Sequence, residues 1–149
     1  MTWKPNVTVA AVIEQDGKYL LVEEIPRGTE IKLNQPAGHL EAGESILQAC
    51  SREVLEETGH SFRPEVLTGI YHWTCASNGI TYLRFTFSGK ITGFDPARKL
   101  DTGIVRAGWL SIDEIRERQA MHRTHLVMQC IEDYLAGKNY PLEILQYYG

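Results

Sequence analysis

Residues Gly38 to His60 read GHLEAGESILQACSREVLEETGH and form the most informative segment of the chain. Its part from Ser45 to Thr58 has no glycine or proline, which predicts a helix, and Gly59 follows where a helix-ending glycine is expected. Apolar residues recur at helical spacing and predict the face that packs on the core: Ile46, Leu47, Cys50 and Val54. The stretch therefore predicts a loop followed by an amphipathic helix.

The same helix carries a cluster of glutamates in its C-terminal half. Glu53, Glu56 and Glu57 are spaced i, i+3 and i+4 and share one face, and Glu57 falls within the angular range of the apolar stripe. Like charges at this spacing repel by about 0.2–0.5 kcal/mol per pair, and the helix dipole also disfavours anions there. A cation such as Mg²⁺, which prefers oxygen ligands, relieves the repulsion. The helix alone is consistent with either a metal site or a solvated acidic surface.

The wider spacing favours the metal site. The stretch follows the pattern G-x5-E-x7-R-E-U-x-E-E-x-G-U, in which U is apolar, and its fixed positions are all present: Gly38, Glu44, Arg52, Glu53, Glu56, Glu57 and Gly59. This pattern is the Nudix box, and the sequence resembles the Nudix hydrolases over essentially its full length. His60 departs from the pattern, because an aliphatic residue usually packs at that position.

The resemblance implies a fold and a set of roles. The fold is α/β (α+β), an α/β/α sandwich around a mixed β-sheet. Arg52 and Glu44 are expected to form a structural ion pair that braces the loop, with Glu44 also suited to the helix N-terminus. The cofactor is expected to be Mg²⁺, with Mn²⁺ as a substitute, held by a backbone carbonyl and three carboxylates: Gly38, Glu53, Glu56 and Glu57.

Outside the box, runs of β-branched and apolar residues predict further strands, which are Val7–Ile13, Tyr19–Glu24, Val66–Thr74, Ile80–Ile91 and Val105–Leu110. Turn signals stand at Asp16-Gly17 and Asn78-Gly79. A capping-box pattern from Ser111 to Glu114 starts a second helix, a third is predicted over Thr124–Leu135, and Pro141–Gly149 is predicted to be a tail. Strands interrupted by a few helices indicate an α/β or α+β sandwich.

Bulk composition limits the classes of partner. The 149 residues suit a single Nudix domain over residues 1–149, with the box at 38–60, and the net charge of −4 argues against nucleic-acid binding. There is no apolar run of signal-peptide type and no stretch of about 18 apolar residues, so no membrane partner is expected. Cys50, Cys75 and Cys130 are far apart and are expected to be reduced thiols of a cytoplasmic protein.

The reaction needs a residue that accepts a proton from the attacking water. Glu53 and Glu57 are the nearest candidates within the box. Some members of the family use a carboxylate on a distant loop instead, and Asp101 is the best-placed acid here. Asp101 is equally consistent with an ordinary turn residue.

Within the family, the sequence resembles the NudJ subgroup of phosphatases. The resemblance rests on short segments spread along the chain, which are Val7–Ala10, Asn34–Glu41, His72-Trp73, Leu83–Phe85 and Tyr140–Glu143. It implies release of inorganic phosphate from nucleoside triphosphates and diphosphates, from thiamine diphosphate and from its hydroxymethylpyrimidine diphosphate precursor. It also implies a monomer.

Several residues are candidates for substrate binding. Phosphate contacts are expected from cationic side chains, and ring stacking from aromatic ones: Arg27, Lys32 and Arg84 for phosphate, His39 beside the metal loop, and Trp73 and Tyr82 for a pyrimidine ring. Each has a structural alternative. Arg84 lies in an alternating strand and is also consistent with a solvent-facing side chain, and Trp73 is equally consistent with a core residue.

Two other functions are consistent with a Nudix box. One is a narrower pyrophosphatase acting on an oxidised nucleotide, a dinucleoside polyphosphate or ADP-ribose, which would release pyrophosphate or a pair of mononucleotide products. The other is a Nudix module that binds a ligand without catalysis. The intact acidic residues of the box argue against a non-catalytic module.

Overall fold

The computed structural model describes residues 2–26 and 30–149. Within these ranges the strands are β1 (Asn6–Val12), β2 (Glu14–Gln15), β3 (Lys18–Glu24), β4 (Lys32–Asn34), β5 (Ala37–His39), β6 (His60–Thr74), β7 (Thr81–Phe94) and β8 (Ile104–Ser111). The helices are α1 (Ile46–Thr58), α2 (Ile112–Glu117) and α3 (Leu126–Leu135). Among the described residues, no helix has the length and apolar character that crossing a membrane requires.

The strands form two sheets. In the first, with the order β5-β1-β7-β6, β1 and β7 run parallel and the other neighbours run antiparallel. In the second, β3 pairs with β2, β4 and β8, always antiparallel. The first sheet is therefore mixed, and the predicted α+β class is confirmed. The second sheet arises because β8 returns to β3 across a large sequence separation.

The first sheet is packed on both faces. Val9, Ala11 and Phe87 lie in one core with Cys50 and Val54 of α1. On the opposite face, the Thr86 hydroxyl lies 3.5 Å from the Cys130 sulfur of α3. Since alternate residues of a strand face opposite sides, helices α1 and α3 cover opposite faces of the sheet. This is the α/β/α arrangement that the resemblance implied.

Helix α1 ends at the predicted Gly59, and it begins one residue later than predicted, behind a capping box at Ser45 that the sequence analysis did not identify. The Ser45 hydroxyl accepts a hydrogen bond from the Gln48 backbone N–H, and the Gln48 side chain accepts one from the Ser45 N–H. At the other end Gly59 has a φ of 76°, a conformation that costs glycine little. The second predicted cap is also present, since Ser111 and Glu114 exchange the same pair of bonds ahead of α2.

Strands β6 and β7 are longer than the sequence predicted. Strand β6 begins at His60, directly after the helix, and β7 continues to Phe94. The pairing register shifts on both sides of Pro64, whose ring removes a backbone donor from the ladder. This irregular, polar first half of β6 lacks the alternation that identifies a strand from sequence. The hairpin turn at Asn78-Gly79 is confirmed, since it connects the two strands.

His60, the position that departs from the box, packs as an aromatic residue. Its ring stacks on Phe94 with centroids 4.2 Å apart and meets Trp109 edge-on at 5.7 Å. Its Nδ1 lies 3.1 Å from the Thr58 carbonyl oxygen. An aromatic ring therefore fills the place of the usual aliphatic side chain, and burial lowers the pKa of His60.

The C-terminal residues are attached to the body, in contrast to the predicted tail. The backbone groups of Tyr140 and Leu67 exchange hydrogen bonds of 2.8 and 2.9 Å. Leu142 and Leu145 then pack against the core from either end of a short 3₁₀ turn. The sequence did not predict this, because the attachment depends on a bridge to a distant strand. Helix α3 begins two residues later than predicted, since Thr124 accepts a bond from the Leu126 N–H.

Candidate active site

Helix α1 places its glutamates at the boundary between core and solvent. Glu53 and Glu57 are each only 8% exposed, and Val54 between them is fully buried. Glu56 is half-buried. A solvated acidic surface is therefore not the correct interpretation for Glu53 and Glu57. Carboxylates taken out of water need a compensating partner.

Gly38 of β5 lies against the carboxylate of Glu53. A β-carbon at position 38 would overlap the Glu53 carboxyl carbon and both of its oxygens. Only glycine lets the strand backbone and this carboxylate approach so closely. The close approach brings a backbone segment and an acidic side chain together, as a shared metal site requires.

Asp101 joins the acidic cluster from the loop before β8. Its backbone N–H donates to the Glu56 carbonyl oxygen at 3.0 Å. One carboxylate oxygen each from Glu53, Glu56 and Asp101 lie within 4.8 Å of one another. Burial and the nearby Glu56 carboxylate raise the pKa of Asp101. Asp101 is therefore placed among the candidate metal ligands and is not an isolated turn residue.

Glu57 has a different environment from the cluster of three carboxylates. Its Oε1 accepts a hydrogen bond from the Ala37 backbone N–H at 2.9 Å. Burial raises the pKa of Glu57 to about 9 and that of Glu53 to about 7, although Arg52 opposes the shift at Glu53. Both groups therefore resist ionisation more than an exposed glutamate does, and a bound metal cation would favour their charged forms.

Arg52 connects the loop to the helix. Its Nη2 and Nε donate to Glu44 at 2.7 and 2.9 Å, and Nη2 also donates to the His39 carbonyl oxygen at 2.9 Å. Its Nη1 donates to Glu53 at 2.7 Å and to Glu56 at 2.9 Å. The hydrogen bonds from Arg52, which outweigh burial, lower the pKa of Glu44. The structure thus brings together the ion pair that the resemblance implied, and extends it to the acidic cluster.

The donor set suits a hard divalent cation. Oxygen atoms converge from Glu53, Glu56 and Asp101, and the backbone of Gly38 adjoins them. Mg²⁺ and Mn²⁺ bind carboxylate and carbonyl oxygens, whereas softer metals prefer sulfur or imidazole. Among the described residues, no cysteine or histidine belongs to this cluster.

A cleft of about 680 Å³ opens beside the acidic residues. Gly38, Glu53 and Glu57 line it, and so do four of the residues predicted to contact substrate: His39, Trp73, Tyr82 and Arg84. Lys32 is not among the described residues that line the cleft. It lies half-buried opposite Glu24 in the second sheet. Arg27 lies outside the described residues.

The floor of the cleft is a row of side chains across the first sheet. His39, Thr8 and Arg84 occupy paired positions on β5, β1 and β7. Neighbouring strands are about 4.8 Å apart, so this row spans about 10 Å from the metal loop to Arg84. The strand register therefore places Arg84 two strands away from the metal loop along the cleft.

Arg84 is a buried cation that forms no ion pair with an acidic side chain of the described residues. Its exposed fraction is 6%, so the alternative of a solvent-facing side chain is wrong. Its one hydrogen bond within the described residues runs from Nη2 to Gln35 Oε1 at 3.4 Å. No carboxylate of the described residues lies within 4 Å of it. Among the described residues every fully buried side-chain nitrogen has a partner, so the unbonded donors of Arg84 keep some contact with solvent, and Arg84 lines the cleft.

Trp73 and Tyr82 stack on each other at the far end of the cleft. Their ring centroids lie 5.3 Å apart at an interplanar angle of 22°, as cross-strand neighbours of β6 and β7. Trp73 also meets His125 edge-on at 5.5 Å and packs partly against the core that contains Leu126 and Cys130 of α3. Trp73 therefore combines the two expected environments, because it borders both the core and the cleft.

Most of the sequence matches a family profile. The NUDIX domain profile aligns with residues 2–130, which is most of the chain. The chain belongs to the Nudix hydrolase family. This membership makes it a phosphohydrolase acting on pyrophosphate linkages, a group of enzymes that generally use a divalent metal.

Relatives of this Nudix hydrolase include both curated proteins and solved structures. Phosphatase NudJ of Escherichia coli is 39% identical over 143 residues, which cover 96% of this chain and 92% of that protein. A Nudix hydrolase from Nitrosomonas europaea is 87% identical, with a TM-score of 0.96 and coverage of 97% and 98% of the two chains. A MutT Nudix hydrolase from Burkholderia pseudomallei shares the fold at 22% identity, with a TM-score of 0.74 over 88% of this chain and 98% of that chain.

The cleft of this Nudix hydrolase also contains residues that the sequence did not identify. Arg123 donates to Glu24 Oε1 at 2.8 Å, and Asn34 donates to the same oxygen at 3.2 Å. Thr8, Cys75 and Thr124 line the cleft as well. Glu24 and Arg123 are 99 positions apart, so no local pattern could have linked them. On this side of the cleft, Arg84 was the residue that the sequence analysis had identified, because a cation stands there within a predicted strand.

Proposed function

We propose that this Nudix hydrolase cleaves phosphoanhydride bonds of nucleoside triphosphates and diphosphates and of thiamine-type diphosphates, with Mg²⁺ as cofactor and inorganic phosphate as product. One observation carries the proposal. A single cleft is lined by buried glutamates, by the buried cation Arg84 two strands from the metal loop, and by an aromatic pair. This arrangement matches a small molecule with a charged diphosphate and an attached ring.

The metal would be held by the carboxylates of Glu53, Glu56 and Asp101 and the backbone carbonyl of Gly38. A bound divalent cation supplies neutralisation of phosphate charge and a lower pKa for its bound water. Arg52 remains within hydrogen-bond distance of two of these carboxylates. Its positive charge would reduce the repulsion between these carboxylates, and between the carboxylates and the phosphate groups of the substrate.

Glu57 is the residue that we assign as proton acceptor. It lines the cleft, it is held by the Ala37 N–H, and it lies outside the cluster of three carboxylates. Asp101 does not line the cleft, and Glu53 is already occupied by Arg52 and by the cluster. A carboxylate needs hydrogen-bond reach to the attacking water to act as a base, and Glu57 combines that access with a fixed position. Burial raises the pKa of Glu57, and a metal cation bound by the neighbouring cluster would lower it again and so supply the ionised form that a base requires.

The other end of the cleft would bind the substrate. The free donors of Arg84 suit phosphate oxygens, for which guanidinium is well matched. Thr8 and His39 extend the same row toward the metal loop. The exposed part of the Trp73–Tyr82 pair offers an apolar surface to a ring. Phosphate release is supported by the similarity to phosphatase NudJ, and the thiamine-type substrates rest on that resemblance.

A substrate screen with Mg²⁺ tests the proposal. It should contain the nucleoside triphosphates, the nucleoside diphosphates, thiamine diphosphate and its hydroxymethylpyrimidine precursor, and report phosphate and pyrophosphate separately. We expect phosphate as the first product. Release of only pyrophosphate from triphosphates would contradict the proposal and favour a narrower pyrophosphatase.

Glu56→Gln is the matched negative control for the screen. Loss of this ligand charge is expected to cost about 3 kcal/mol of transition-state stabilisation, or about a hundredfold in rate, with the fold retained. Glu65→Gln, an exposed glutamate of β6, is expected to keep full activity. Full activity in Glu56→Gln would exclude the proposed metal site.

A further inference from the structure

Gln35 is a buried polar residue that the catalytic proposal does not use. Only 1% of it is exposed, and it lies between β4 and β5, three residues before Gly38. Its Nε2 donates to the Val127 carbonyl oxygen of α3 at 2.7 Å, and its Oε1 accepts from Arg84 at 3.4 Å. The Gln35 side chain therefore connects α3 to Arg84 in the cleft.

The chemistry of its two partners fixes the orientation of the Gln35 amide. The Val127 carbonyl only accepts hydrogen bonds, and the Arg84 guanidinium only donates them. The Gln35 Nε2 must therefore face Val127, and the Gln35 oxygen must face Arg84. The flipped amide would place acceptor against acceptor and donor against donor. Glutamine supplies a donor and an acceptor on one planar group, as this position requires.

The Arg84 side chain needs such a partner. Its long chain has many rotamers, and ordering it costs up to about 2 kcal/mol. No carboxylate of the described residues fixes it by an ion pair, and a carboxylate there would neutralise the charge that a phosphate needs. A neutral oxygen holds the guanidinium in place and leaves its charge available. The bond is long at 3.4 Å, which suits a group that also binds a ligand.

We propose that Gln35 is a positioning residue: it holds the Arg84 guanidinium, through the Val127–Gln35–Arg84 chain of hydrogen bonds, in the orientation that binds a phosphate group of the substrate. The inference rests on the proposed function, because it concerns the anionic part of the same substrate. Its effect is on substrate binding, while the chemical step depends on the acidic end of the cleft.

A double-mutant cycle tests this role. The variants are Gln35→Met, Arg84→Met and the double variant, since methionine keeps the volume and removes the hydrogen bonds. The readouts are KM and kcat, together with calorimetric binding of methylenediphosphonate, whose P–C–P bridge resists hydrolysis, in the presence of Mg²⁺. We expect Arg84→Met to weaken binding by about thirtyfold and Gln35→Met by about fivefold, with kcat changing less than KM.

The cycle distinguishes positioning from a merely structural role. If Gln35 acts through Arg84, Gln35→Met has no further effect on binding in the Arg84→Met background. Additive effects, or a loss confined to kcat, would overturn the proposal. Gln35→Glu gives a second test in case Gln35→Met does not fold. Its carboxylate would pair with Arg84 and neutralise the charge, so we expect weaker diphosphonate binding. In the Arg84→Met background, Gln35→Glu should have no further effect on binding.

The calorimetric arm also separates this inference from the proposed function. If no anhydride is hydrolysed but the diphosphonate still shows coupling between Gln35 and Arg84, the proposed function fails and the positioning role remains. If hydrolysis proceeds and the two residues show no coupling, only the positioning role fails. Thermal unfolding of each variant provides the control for folding.

Discussion

The backbone of Gly38 lies in contact with the carboxylate of Glu53, so that a β-carbon at position 38 would occupy the space of that carboxylate. The two residues lie on separate elements, β5 and α1. Their contact defines the acidic end of the cleft, because it holds a helix carboxylate against a strand backbone. The requirement for glycine at position 38 is therefore steric, and it can be tested directly.

Gly38→Ala is expected to displace Glu53 and to weaken both Mg²⁺ binding and turnover. A displaced ligand typically costs ten- to hundredfold, so we expect kcat/KM to fall by about a hundredfold. Isothermal titration with Mg²⁺ and steady-state kinetics measure the two effects. Gly108→Ala is the matched control, since a β-carbon there meets no atom within 4 Å. Equal activity in the two variants would show that the contact is unimportant.

Asp101→Asn and Glu57→Gln are expected to have different kinetic effects. If Asp101 is a ligand, its neutralisation raises the Mg²⁺ concentration needed for half-maximal rate by about tenfold, and excess Mg²⁺ restores most of kcat. If Glu57 accepts the proton, kcat of Glu57→Gln stays at least about a hundredfold low at any Mg²⁺ concentration. Titration of the rate with Mg²⁺ distinguishes the two roles, and the opposite result would exchange the assignments.

Arg52→Met is expected to destabilise the metal-free protein and to be rescued in part by Mg²⁺. Arg52 forms ion pairs with four glutamates, and its removal leaves the buried Glu53 and its part-buried neighbours without a cation. Its partial exposure screens the effect, so we expect a loss of about 2 kcal/mol, or about 5 °C in Tm. The loss should be smaller with saturating Mg²⁺ than with a chelator.

The control for this prediction is Arg63→Met. Arg63 forms an exposed ion pair with Glu65 at 3.4 Å, and such pairs contribute little to stability. We expect a change in Tm of less than about 2 °C in either condition. A destabilisation of Arg52→Met that is unaffected by Mg²⁺ would argue that Arg52 stabilises only the loop.

His60 is expected to make stability depend on pH. Burial lowers the pKa of His60 in the folded protein below its unfolded value of about 6.5. The unfolded chain therefore binds the proton more readily, so this contribution is complete above about pH 6.5 and is lost as pH falls through the folded pKa. We expect the stability of His60→Leu to fall less steeply with acidification than that of the unaltered protein.

Denaturant unfolding at several pH values from 7.5 downward measures the difference in slope. His72→Leu changes an exposed histidine of the same strand, and it tests whether the loss of any histidine flattens the curve. The ring contacts of His60 with Phe94 and Trp109 make some loss of stability at neutral pH expected as well. Parallel curves for the unaltered protein and His60→Leu would contradict the role of burial.

The local sequence determined the helix and its caps. Ser45, Gln48 and Gly59 act on neighbours within a few residues, and the apolar spacing selects the buried face without help from distant parts of the chain. The spacing of Glu53, Glu56 and Glu57 on that helix likewise follows from helical geometry alone. These features are predictable because each depends on interactions of short sequence separation.

The set of residues that line the cleft depends on tertiary contacts between distant parts of the chain. Asp101 meets Glu56 through one backbone hydrogen bond, and Gln35 meets Arg84 through one side-chain bond across 49 positions. Neither contact has a periodicity or a cap that marks it in the sequence. Their closeness is set by strand register and by the packing of helices on both faces of the sheet. The spacing within the Nudix box indicates the reaction class, whereas long-range packing brings the cations and the remaining carboxylate to the cleft.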